Sequence, residues 1–261
     1  MPSPTAVRRS PVAVSFSPAD AVARLGLIAL ATDLTIERDA ARLIPKAEAA
    51  LHVTRVAFEN PTTPENLRSM RPSLTAAAEL ILPGMTLRAI GYGCTAASVV
   101  IGSEAVADAI HAARPGVPVA TPPDAALEAF KALDVTRIAL LTPYLPRTTA
   151  PMVTFFEARG IDVVSAHCLG IEDDREMALV RTETVLAAAE AANVPEAEAV
   201  FLSCTALPAL GLIDRLEQLL GKPVVCANQA LLWRLLHNAG LAPAPGAWGR
   251  IFEVAPAESP A

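Results

Sequence analysis

The sequence predicts an α/β protein of two similar lobes, each built on a parallel sheet, related by a pseudo-twofold axis around a shared cleft. Three observations support this fold class. Short apolar runs without polar alternation are separated by longer amphipathic stretches, which is typical of parallel strands covered by helices on both faces. Two parts of the chain repeat each other at a constant offset. Hydrophobic residues make up 52% and charged residues 18% of the 261 residues, which is ample for a large core.

The strand and helix predictions follow the chain in order. Strands are expected at the apolar runs Leu25–Ala31, Arg55–Phe58, Leu87–Gly91, Val117–Ala120, Arg137–Leu141, Asp162–Ser165, Ala199–Leu202 and Pro223–Cys226. Amphipathic periodicity between them predicts helices, among them Ile36–Leu51, Thr95–Ala113 and Asp174–Ala192.

Composition sets the expected domain boundaries. Residues 1–22 are rich in Pro, Ser and Ala and are expected to form a flexible tail. A C-terminal tail is expected at 246–261, with Trp248 and Phe252 as candidate anchors to the surface. Lobe 1 is then 23–121, completed by 225–245, and lobe 2 is 122–224.

The internal repeat is the most informative feature. A shift of 110 positions places Ile28-Ala29-Leu30 on Ile138-Ala139-Leu140, and Cys94-Thr95-Ala96 on Cys204-Thr205-Ala206. One offset shared by two separated motifs is hard to produce by chance. It predicts that each lobe places a Cys-Thr step at the carboxyl end of a strand, where a helix begins. Ligands bind at that edge of open parallel sheets.

Charge and segment length disfavour two classes of partner. The chain has 21 basic and 27 acidic residues, and its longest basic cluster is the Arg8-Arg9 pair, so a nucleic-acid partner is not expected. The longest charge-free stretches, among them Ala89–Ser103 and Ala199–Ile213, have 15 residues each, below the roughly 18 to 20 needed to span a membrane. Without a convincing targeting segment, we expect a cytoplasmic protein whose four cysteines are free thiols.

No cofactor is expected. The four histidines, His52, His111, His167 and His237, lack the spacing of metal ligands. The glycine patterns that cradle nucleotide phosphates and the Gly-x-Ser-x-Gly motif of serine hydrolases are both missing from the sequence.

The two Cys-Thr steps suggest acid–base chemistry. A helix amino terminus favours a thiolate over a thiol, and Thr95 or Thr205 would add a hydroxyl donor for a substrate carboxylate. Cys94 and Cys204 facing each other across a cleft fit stereochemical inversion, in which one thiolate removes a proton and the opposite thiol returns one. The competing interpretation is that both are small buried packing residues, as we expect for Cys168 and Cys226, which have no repeat partner.

Three further residues are weaker candidates. Asp33 and Tyr144 end the first strands of the two lobes and should face the same cleft. Asp33 is equally suited to capping the helix that starts near Thr35, and Tyr144 to a surface contact in its turn. Asp174 ends the acidic run from Glu172, which is also typical of a helix's first turn.

At these residues the chain resembles a known family, the aspartate/glutamate racemase superfamily, in the branch of maleate cis-trans isomerases and arylmalonate decarboxylases. The resemblance covers nearly all of 25–236. It rests on Leu-Gly-Leu-Ile-Ala-Leu-Ala-Thr-Asp at 25–33, Gly-Cys-Thr-Ala at 93–96, Leu-Thr-Pro-Tyr at 141–144, Ser-Cys-Thr-Ala-Leu at 203–207 and Pro-Val-Val-Cys-Ala-Asn-Gln-Ala-Leu-Leu-Trp at 223–233.

The resemblance implies two Rossmann-like lobes with a cofactor-free active site between them. It implies Cys94 and Cys204 as the catalytic pair and Tyr144 as a site residue. The carboxylate-binding turns would be Thr95-Ala96 and Thr205, with Ala206 as the repeat partner of Ala96. Any homo-oligomer, a dimer in particular, is suggested by the family alone.

The departures from the family pattern shape the functional expectation. Maleate isomerases carry asparagines where this chain has Asp33 and Asp174, and arylmalonate decarboxylases lack the first cysteine. The stretch at 31–39 is most similar to the racemase-like proteins of ectoine and hydroxyectoine utilisation. We therefore expect a racemase or epimerase that acts beside a carboxylate of a small aspartate-like amino acid derivative. The alternatives are maleate cis-trans isomerisation through a covalent cysteine adduct and a non-catalytic small-carboxylate binder.

Overall fold

The computed structural model describes residues 6–255; the ends of both expected tails, 1–5 and 256–261, lie outside the described residues. The strands are β1 (Ala23–Leu30), β2 (Ala49–Val56), β3 (Ala89–Gly93), β4 (Val119–Ala120), β5 (Arg137–Thr142), β6 (Asp162–Cys168), β7 (Ala199–Leu202) and β8 (Val224–Cys226). The helices are α1 (Ile36–Leu43), α2 (Pro64–Arg68), α3 (Leu74–Glu79), α4 (Thr95–Ile101), α5 (Ser103–His111), α6 (Pro122–Ala132), α7 (Pro146–Glu157), α8 (Asp174–Met177), α9 (Thr182–Ala192), α10 (Ile213–Leu220) and α11 (Ala227–Asn238).

The two sheets have the same topology. Their strand orders are β2-β1-β3-β4 and β6-β5-β7-β8, and all of the pairings are parallel. The central strands β1 and β5 correspond at the predicted offset, as do β3 and β7. The predicted two-lobed α/β fold with parallel sheets is confirmed.

The central strands are buried on both faces, which explains their unalternated apolar sequence. Six consecutive residues of β1, from Leu25 to Leu30, are buried, and so are all of the residues of β3 and β7. In lobe 2, four phenylalanines pack edge to face between β7, α6 and α7. The ring of Phe156 lies 5.2 to 5.9 Å from those of Phe155, Phe201 and Phe130. Aromatic side chains thus fill the core of lobe 2, although they are only 4% of the chain.

The helix predicted over Ile36–Leu51 is wrong in its second half. Helix α1 ends at Leu43, and β2 begins at Ala49, six residues before the predicted strand Arg55–Phe58. Pro45 disfavours a helical conformation in the residue before it, and Ile44 is accordingly extended, with φ −76° and ψ 129°. The apolar stretch that follows the proline can then join the sheet.

The other two long helices predicted from the sequence are each divided into two in the structure. The helix predicted over Thr95–Ala113 breaks at Gly102, whose φ of +94° is accessible to glycine but strained for other residues. The helix predicted over Asp174–Ala192 becomes α8 and α9, separated by a turn. In both cases the amphipathic pattern continues through a local break in the backbone.

The C-terminal segment crosses both lobes. Strand β8 pairs with β7 in the second sheet, whereas α11 packs against β3 of the first sheet and against α6. Beyond α11, Trp248 is buried, its backbone oxygen accepts a hydrogen bond from the Gln229 amide, and Phe252 packs on the core. At the other end of the chain, residues 6–22 are exposed and contain no helix or strand. None of the helices in residues 6–255 has the length and the apolar character needed to cross a membrane.

The aromatic cluster gives a test of this packing. Replacing Phe156 with Ala should lower the free energy of unfolding by about 3 to 5 kcal/mol, because the cavity removes contacts to three neighbouring rings. Phe156→Leu, which keeps most of the volume, should cost less. Urea denaturation followed by circular dichroism measures both changes. Leu80→Ala serves as the control, since Leu80 is 72% exposed and its truncation should change stability by less than about 0.5 kcal/mol. Equal unfolding midpoints for all three variants would contradict the packing.

Candidate active site

The carboxyl ends of the central strands bring the predicted site residues together. Asp33 follows β1, Cys94 follows β3, Tyr144 follows β5 and Cys204 follows β7. All four residues are buried. Carboxyl ends of parallel strands share one edge of a sheet, so each lobe contributes two of these groups to the cleft.

Cys94 caps the amino terminus of α4, as predicted from the sequence. Its backbone is extended, with φ −149° and ψ 109°, and its carbonyl accepts the first helical hydrogen bond, from the Ser98 N–H at 3.1 Å. Glycine precedes it for a packing reason, because a Cβ on Gly93 would lie 2.6 Å from the Cδ1 of the buried Ile36.

Cys204 does not begin a helix, and the sequence expectation is wrong on this point. The residues after β7 form a loop that reaches a short 3-10 turn only at Leu210. In a helix that starts at Cys204, the N–H of residue 208 would donate the first helical hydrogen bond. Residue 208 is a proline, which has no N–H and also disfavours a helical conformation at Leu207. The loop nevertheless supplies donors, since the N–H groups of Ala206 and Leu207 both hydrogen-bond the Cys204 sulfur and lower its pKa.

The expected thiolate character is not found in either cysteine. Burial raises the pKa of Cys204 to about 12 and that of Cys94 well above its usual value. The charge of Asp174 raises both pKa values further, whereas backbone N–H groups lower them: that of Ala97 for Cys94, and those of Ala206 and Leu207 for Cys204. The negative charge that Cys204 would carry as a thiolate also contributes to the raised pKa of Cys94. Cys168 is half-buried on β6, Cys226 is buried at the end of β8, and all four cysteines are free.

Tyr144 is buried beside Cys204 rather than exposed on the surface. It is 2% exposed, and burial, with the nearby Cys204 and Cys94, raises the pKa of its phenol well above the usual value. The neutral hydroxyl donates a hydrogen bond to the Cys204 sulfur and lowers the pKa of that thiol. A neutral phenol at this position is a hydrogen-bond donor at physiological pH.

Asp33 caps a helix and also acts on Cys94 through its charge. Its Oδ1 accepts hydrogen bonds from the N–H groups of Thr35 at 2.7 Å and Ile36 at 2.8 Å, which caps the start of α1. It also lies close enough to Cys94 to raise that thiol's pKa. Burial raises the pKa of Asp33 itself to about 6, with a smaller contribution from Asp174. Arg55 holds the loop from outside by donating to the carbonyl oxygens of Leu30 and Asp33.

Asp174 is the first residue of α8 and is held by lobe 1. The Thr32 hydroxyl donates to its Oδ2 at 2.6 Å, and its N–H donates to the Asn60 side-chain oxygen at 3.0 Å. Asn60 also donates to Asp173 at 3.0 Å, so one lobe 1 side chain fixes the start of α8. Burial raises the pKa of Asp174. Two carboxyl groups therefore lie beside the two thiols.

The two Cys-Thr-Ala turns differ in what their threonines bind. Thr205 donates its hydroxyl to the carbonyl oxygen of Gly93 at 3.1 Å, across the lobe boundary. The Thr95 hydroxyl is fully buried, and within residues 6–255 it has no hydrogen-bond partner. Ala96 and Ala206, the next residues in each turn, are buried. Thr95 is thus the donor that remains open to a ligand.

Sequence reasoning missed several side chains that build the site. Asn60 and Thr35 gave no signal of their own, because their partners are distant in the sequence. Asn228 belongs to the Cys-Ala-Asn-Gln motif of the family resemblance, and its position two residues after β8, in the first turn of α11, is the signal that could have identified it. Ser203 precedes Cys204, and its buried hydroxyl has no partner in the described part of the chain. Residues 6–255 contain no group of three or more His, Cys, Asp or Glu side chains placed to hold a metal ion.

Comparison with known proteins places the chain among characterised enzymes. Residues 76–252 match the family model described as arylmalonate decarboxylase. The maleate isomerase of Nocardia farcinica is 30% identical over 251 residues, covering 88% of this chain and 96% of that protein. The arylmalonate decarboxylase of Bordetella bronchiseptica is 34% identical over 143 residues, covering 53% of this chain and 59% of that protein.

A solved structure agrees with the sequence matches. It is a cysteine-to-serine variant of the Nocardia farcinica maleate cis-trans isomerase with a covalently bound succinylcysteine intermediate. Its TM-score is 0.79 at 27% identity, and the match covers 88% of this chain and 98% of that one. The expectation of an enzyme of isomerase type with a catalytic cysteine is confirmed by these relatives. The chain belongs to the arylmalonate decarboxylase and maleate isomerase family, a branch of the aspartate/glutamate racemase superfamily.

Proposed function

We propose that this protein is a cofactor-independent racemase or epimerase that inverts the carbon beside a carboxylate in a small, aspartate-like amino acid derivative. Cys94 and Cys204 are the opposed acid and base. The observation that carries the proposal is the pair of buried carboxyl groups, Asp33 and Asp174, beside the two thiols.

The two carboxyl groups favour a substrate that carries an ammonium group. Desolvation raises the pKa of each, so both gain from a cationic partner in the same cleft. The neighbouring Arg55 binds backbone carbonyl oxygens and Glu37, on the outside of the Asp33 loop. A dianion such as maleate would instead meet two acids at this place.

The substrate carboxylate fits the start of α4. The unpartnered Thr95 hydroxyl is a ready donor, and the first N–H groups of a helix carry partial positive charge. A substrate whose carboxylate binds there and whose ammonium lies near Asp33 or Asp174 presents its α-carbon between Cys94 and Cys204.

Proton transfer then proceeds between the two sulfurs. One thiolate removes the α-proton, and the electron pair moves into the carboxylate to give an enediolate. The opposite thiol returns a proton to the other face of the carbon, which inverts its configuration. Donors at the carboxylate stabilise the enediolate as its charge develops. The substrate ammonium also offsets the negative charge of Asp174, which otherwise raises the pKa of both thiols.

The second candidate is cis-trans isomerisation of maleate or a related acid. The relatives named maleate isomerase and the succinylcysteine adduct in one of them favour it. In that reaction a thiolate adds to the double bond, the resulting single bond rotates, and elimination of the thiolate yields the trans acid. A carboxylate binder without turnover is the third possibility.

A role in ectoine or hydroxyectoine degradation is part of the proposal and rests on the sequence similarity at 31–39. We propose the cytoplasm as its location and a small carboxylate as its partner, with neither nucleic acid nor membrane. A homodimer is proposed from the family resemblance alone.

The first test follows isotope exchange. In D₂O, aspartate-type amino acids should gain deuterium at the α-carbon with loss of optical purity, and maleate should not give fumarate; proton NMR detects both. Replacing Cys94 or Cys204 with Ser should reduce inversion roughly 10²- to 10⁴-fold, because each carries one proton transfer. Deuterium exchange at the α-carbon of one enantiomer can survive in either variant, because the remaining sulfur still faces one side of that carbon.

Cys168→Ser is the matched control and should retain full activity, because this cysteine lies on β6 outside the thiol pair. Normal turnover in both the Cys94 and the Cys204 variants would refute the two-thiol mechanism. Fumarate from maleate, without deuterium in any amino acid, would establish the second candidate instead.

The second test uses the pKa of about 6 at Asp33. Ionised Asp33 attracts an ammonium group, so the KM for an amino acid substrate should rise as the pH falls below about 6. Asp33→Asn should raise KM at pH 8 and remove this pH dependence, which steady-state kinetics between pH 5 and 8 will show. If maleate is the substrate, its KM should instead fall as the pH falls below about 6. Such improved maleate binding at low pH would contradict an ammonium-bearing substrate.

A control independent of substrate is the stability of Asp33→Asn. The carboxyl pKa is about 6 in the folded protein against an ordinary value of 3.8, so the folded state binds the proton more tightly. The cost of ionising Asp33 is absent at pH below 3.8 and complete above about 6, where it amounts to about 3 kcal/mol. Asn keeps the oxygen that accepts from Thr35 and Ile36. The variant should therefore be more stable than the wild type at pH 7, with the difference vanishing near pH 3.5.

A further inference from the structure

The loop that carries Cys204 is held by two side chains of lobe 1. The Asn228 side-chain amide donates to the carbonyl oxygen of Thr205 at 2.8 Å. The Thr35 hydroxyl donates to the carbonyl oxygen of Ala206 at 2.6 Å. Thr35 directly precedes α1, Asn228 lies in the first turn of α11, and both residues are 1% exposed. Neither side chain has a role in the proposed proton transfers.

Peptide geometry connects these bonds to the sulfur. The carbonyl of Thr205 and the N–H of Ala206 belong to one planar trans peptide unit and point in opposite directions. The same holds for the carbonyl of Ala206 and the N–H of Leu207. A donor that fixes each carbonyl oxygen therefore also fixes the direction of the N–H on the far side of its unit. These are the two N–H groups that hydrogen-bond the Cys204 sulfur.

We propose that Thr35 and Asn228 are positioning residues that orient two consecutive peptide units, so that the N–H groups of Ala206 and Leu207 point at the Cys204 sulfur. The loop thereby acquires, from side chains of the other lobe, the donor arrangement that a helix amino terminus supplies to Cys94. The catalytic meaning of this arrangement rests on the proposed function, but the orientation itself does not.

The holding side chains are themselves well anchored. Asn228 uses the two protons of its amide on two acceptors, Thr205 and the Oδ2 of Asp39 at 2.8 Å. Asp39 lies on α1 and is 2% exposed, and burial raises the pKa of its carboxyl while Asn228 lowers it. Since Thr35 and Asp39 sit one turn apart beside the same helix, α1 orients both peptide units.

The charged and titratable groups around the sulfur are separate from these anchors. Asp174 faces Cys204 from α8, Tyr144 from the turn after β5, and Cys94 from the start of α4. A change confined to the Thr35 hydroxyl leaves all three in place. It also leaves the Thr35 backbone N–H, which donates to Asp33.

The experiment compares thiol reactivity in Thr35→Val and wild type. Loss of the hydroxyl should release the second peptide unit and raise the Cys204 pKa by about one unit, which lowers its thiolate fraction about tenfold below the pKa. A more basic thiolate is more nucleophilic, so the net fall in alkylation rate should be about three- to fourfold. Iodoacetamide labelling of the full chain at pH 8, with peptide mass spectrometry, gives the rate at Cys204 relative to Cys94. That ratio corrects for access to the shared cleft.

Two controls separate orientation from a general loss of structure. Thr75→Val removes an equivalent hydroxyl-to-carbonyl hydrogen bond, from Thr75 to Ala109 at 2.7 Å, in a part of lobe 1 outside the site. It should lower the melting temperature to a similar extent and leave the labelling ratio unchanged. Thr35→Ser, which keeps the hydroxyl, should restore the wild-type ratio.

The outcome does not depend on substrate or turnover, so it is independent of the proposed function. An unchanged Cys204 to Cys94 ratio in Thr35→Val overturns the proposal, and so does an equal fall in Thr75→Val. If Thr35→Val does not yield folded protein, Asn228→Ser, whose side chain is too short to reach the Thr205 carbonyl, is labelled in its place. The same fall is then expected, and an unchanged ratio overturns the proposal.

Discussion

The site depends on one electrostatic constraint: two thiols and two carboxyl groups share a cleft from which water is largely excluded. In such surroundings an ionised group needs a hydrogen-bond donor or an opposite charge close by. Asp33 receives two backbone N–H groups, Asp174 receives the Thr32 hydroxyl, and Cys204 receives Tyr144 and two peptide N–H groups. These hydrogen-bond donors are neutral groups, and the charges of Arg55 and Arg175 also lower the pKa values of Asp33 and Asp174. The ammonium group of the substrate that we propose would complete the local charge balance.

Duplication of the fold supplies the symmetry of the site, and the loops modify it. In each lobe a cysteine follows the equivalent strand, β3 in lobe 1 and β7 in lobe 2, but only Cys94 begins a helix. Its N–H donor, Ala97, belongs to its own α4. Cys204 lies in a loop whose conformation depends on lobe 1, through Thr35, Asn228 and the contact from Thr205 to Gly93. The geometry around Cys204 in lobe 2 thus depends on contacts from lobe 1.

The sequence predicted what depends on local pattern and on the repeat. Buried parallel strands appear as unalternated apolar runs, and the offset of 110 located both cysteines. The errors occurred where one residue overrides a periodic pattern: Pro45 ends α1, Gly102 divides a helix, and Pro208 prevents one. The site's hydrogen bonds were unpredictable for another reason. Thr35 and Ala206 are 171 positions apart, and no local pattern relates them.

Two of the three donors to Cys204 are main-chain groups, and this affects how the protein tolerates mutation. A substitution at Ala206 or Leu207 changes the side chain but keeps the N–H, unless the new residue is proline. Evolutionary drift at these two positions can therefore alter the shape of the cleft without removing the donors. The sensitive positions are Thr35, at the start of α1, and Asn228, in α11. An apolar replacement at either position would remove the hydrogen bond that orients a donor to Cys204. Surveys of natural variants should find the stronger constraint there, outside the residues that line the reacting centre.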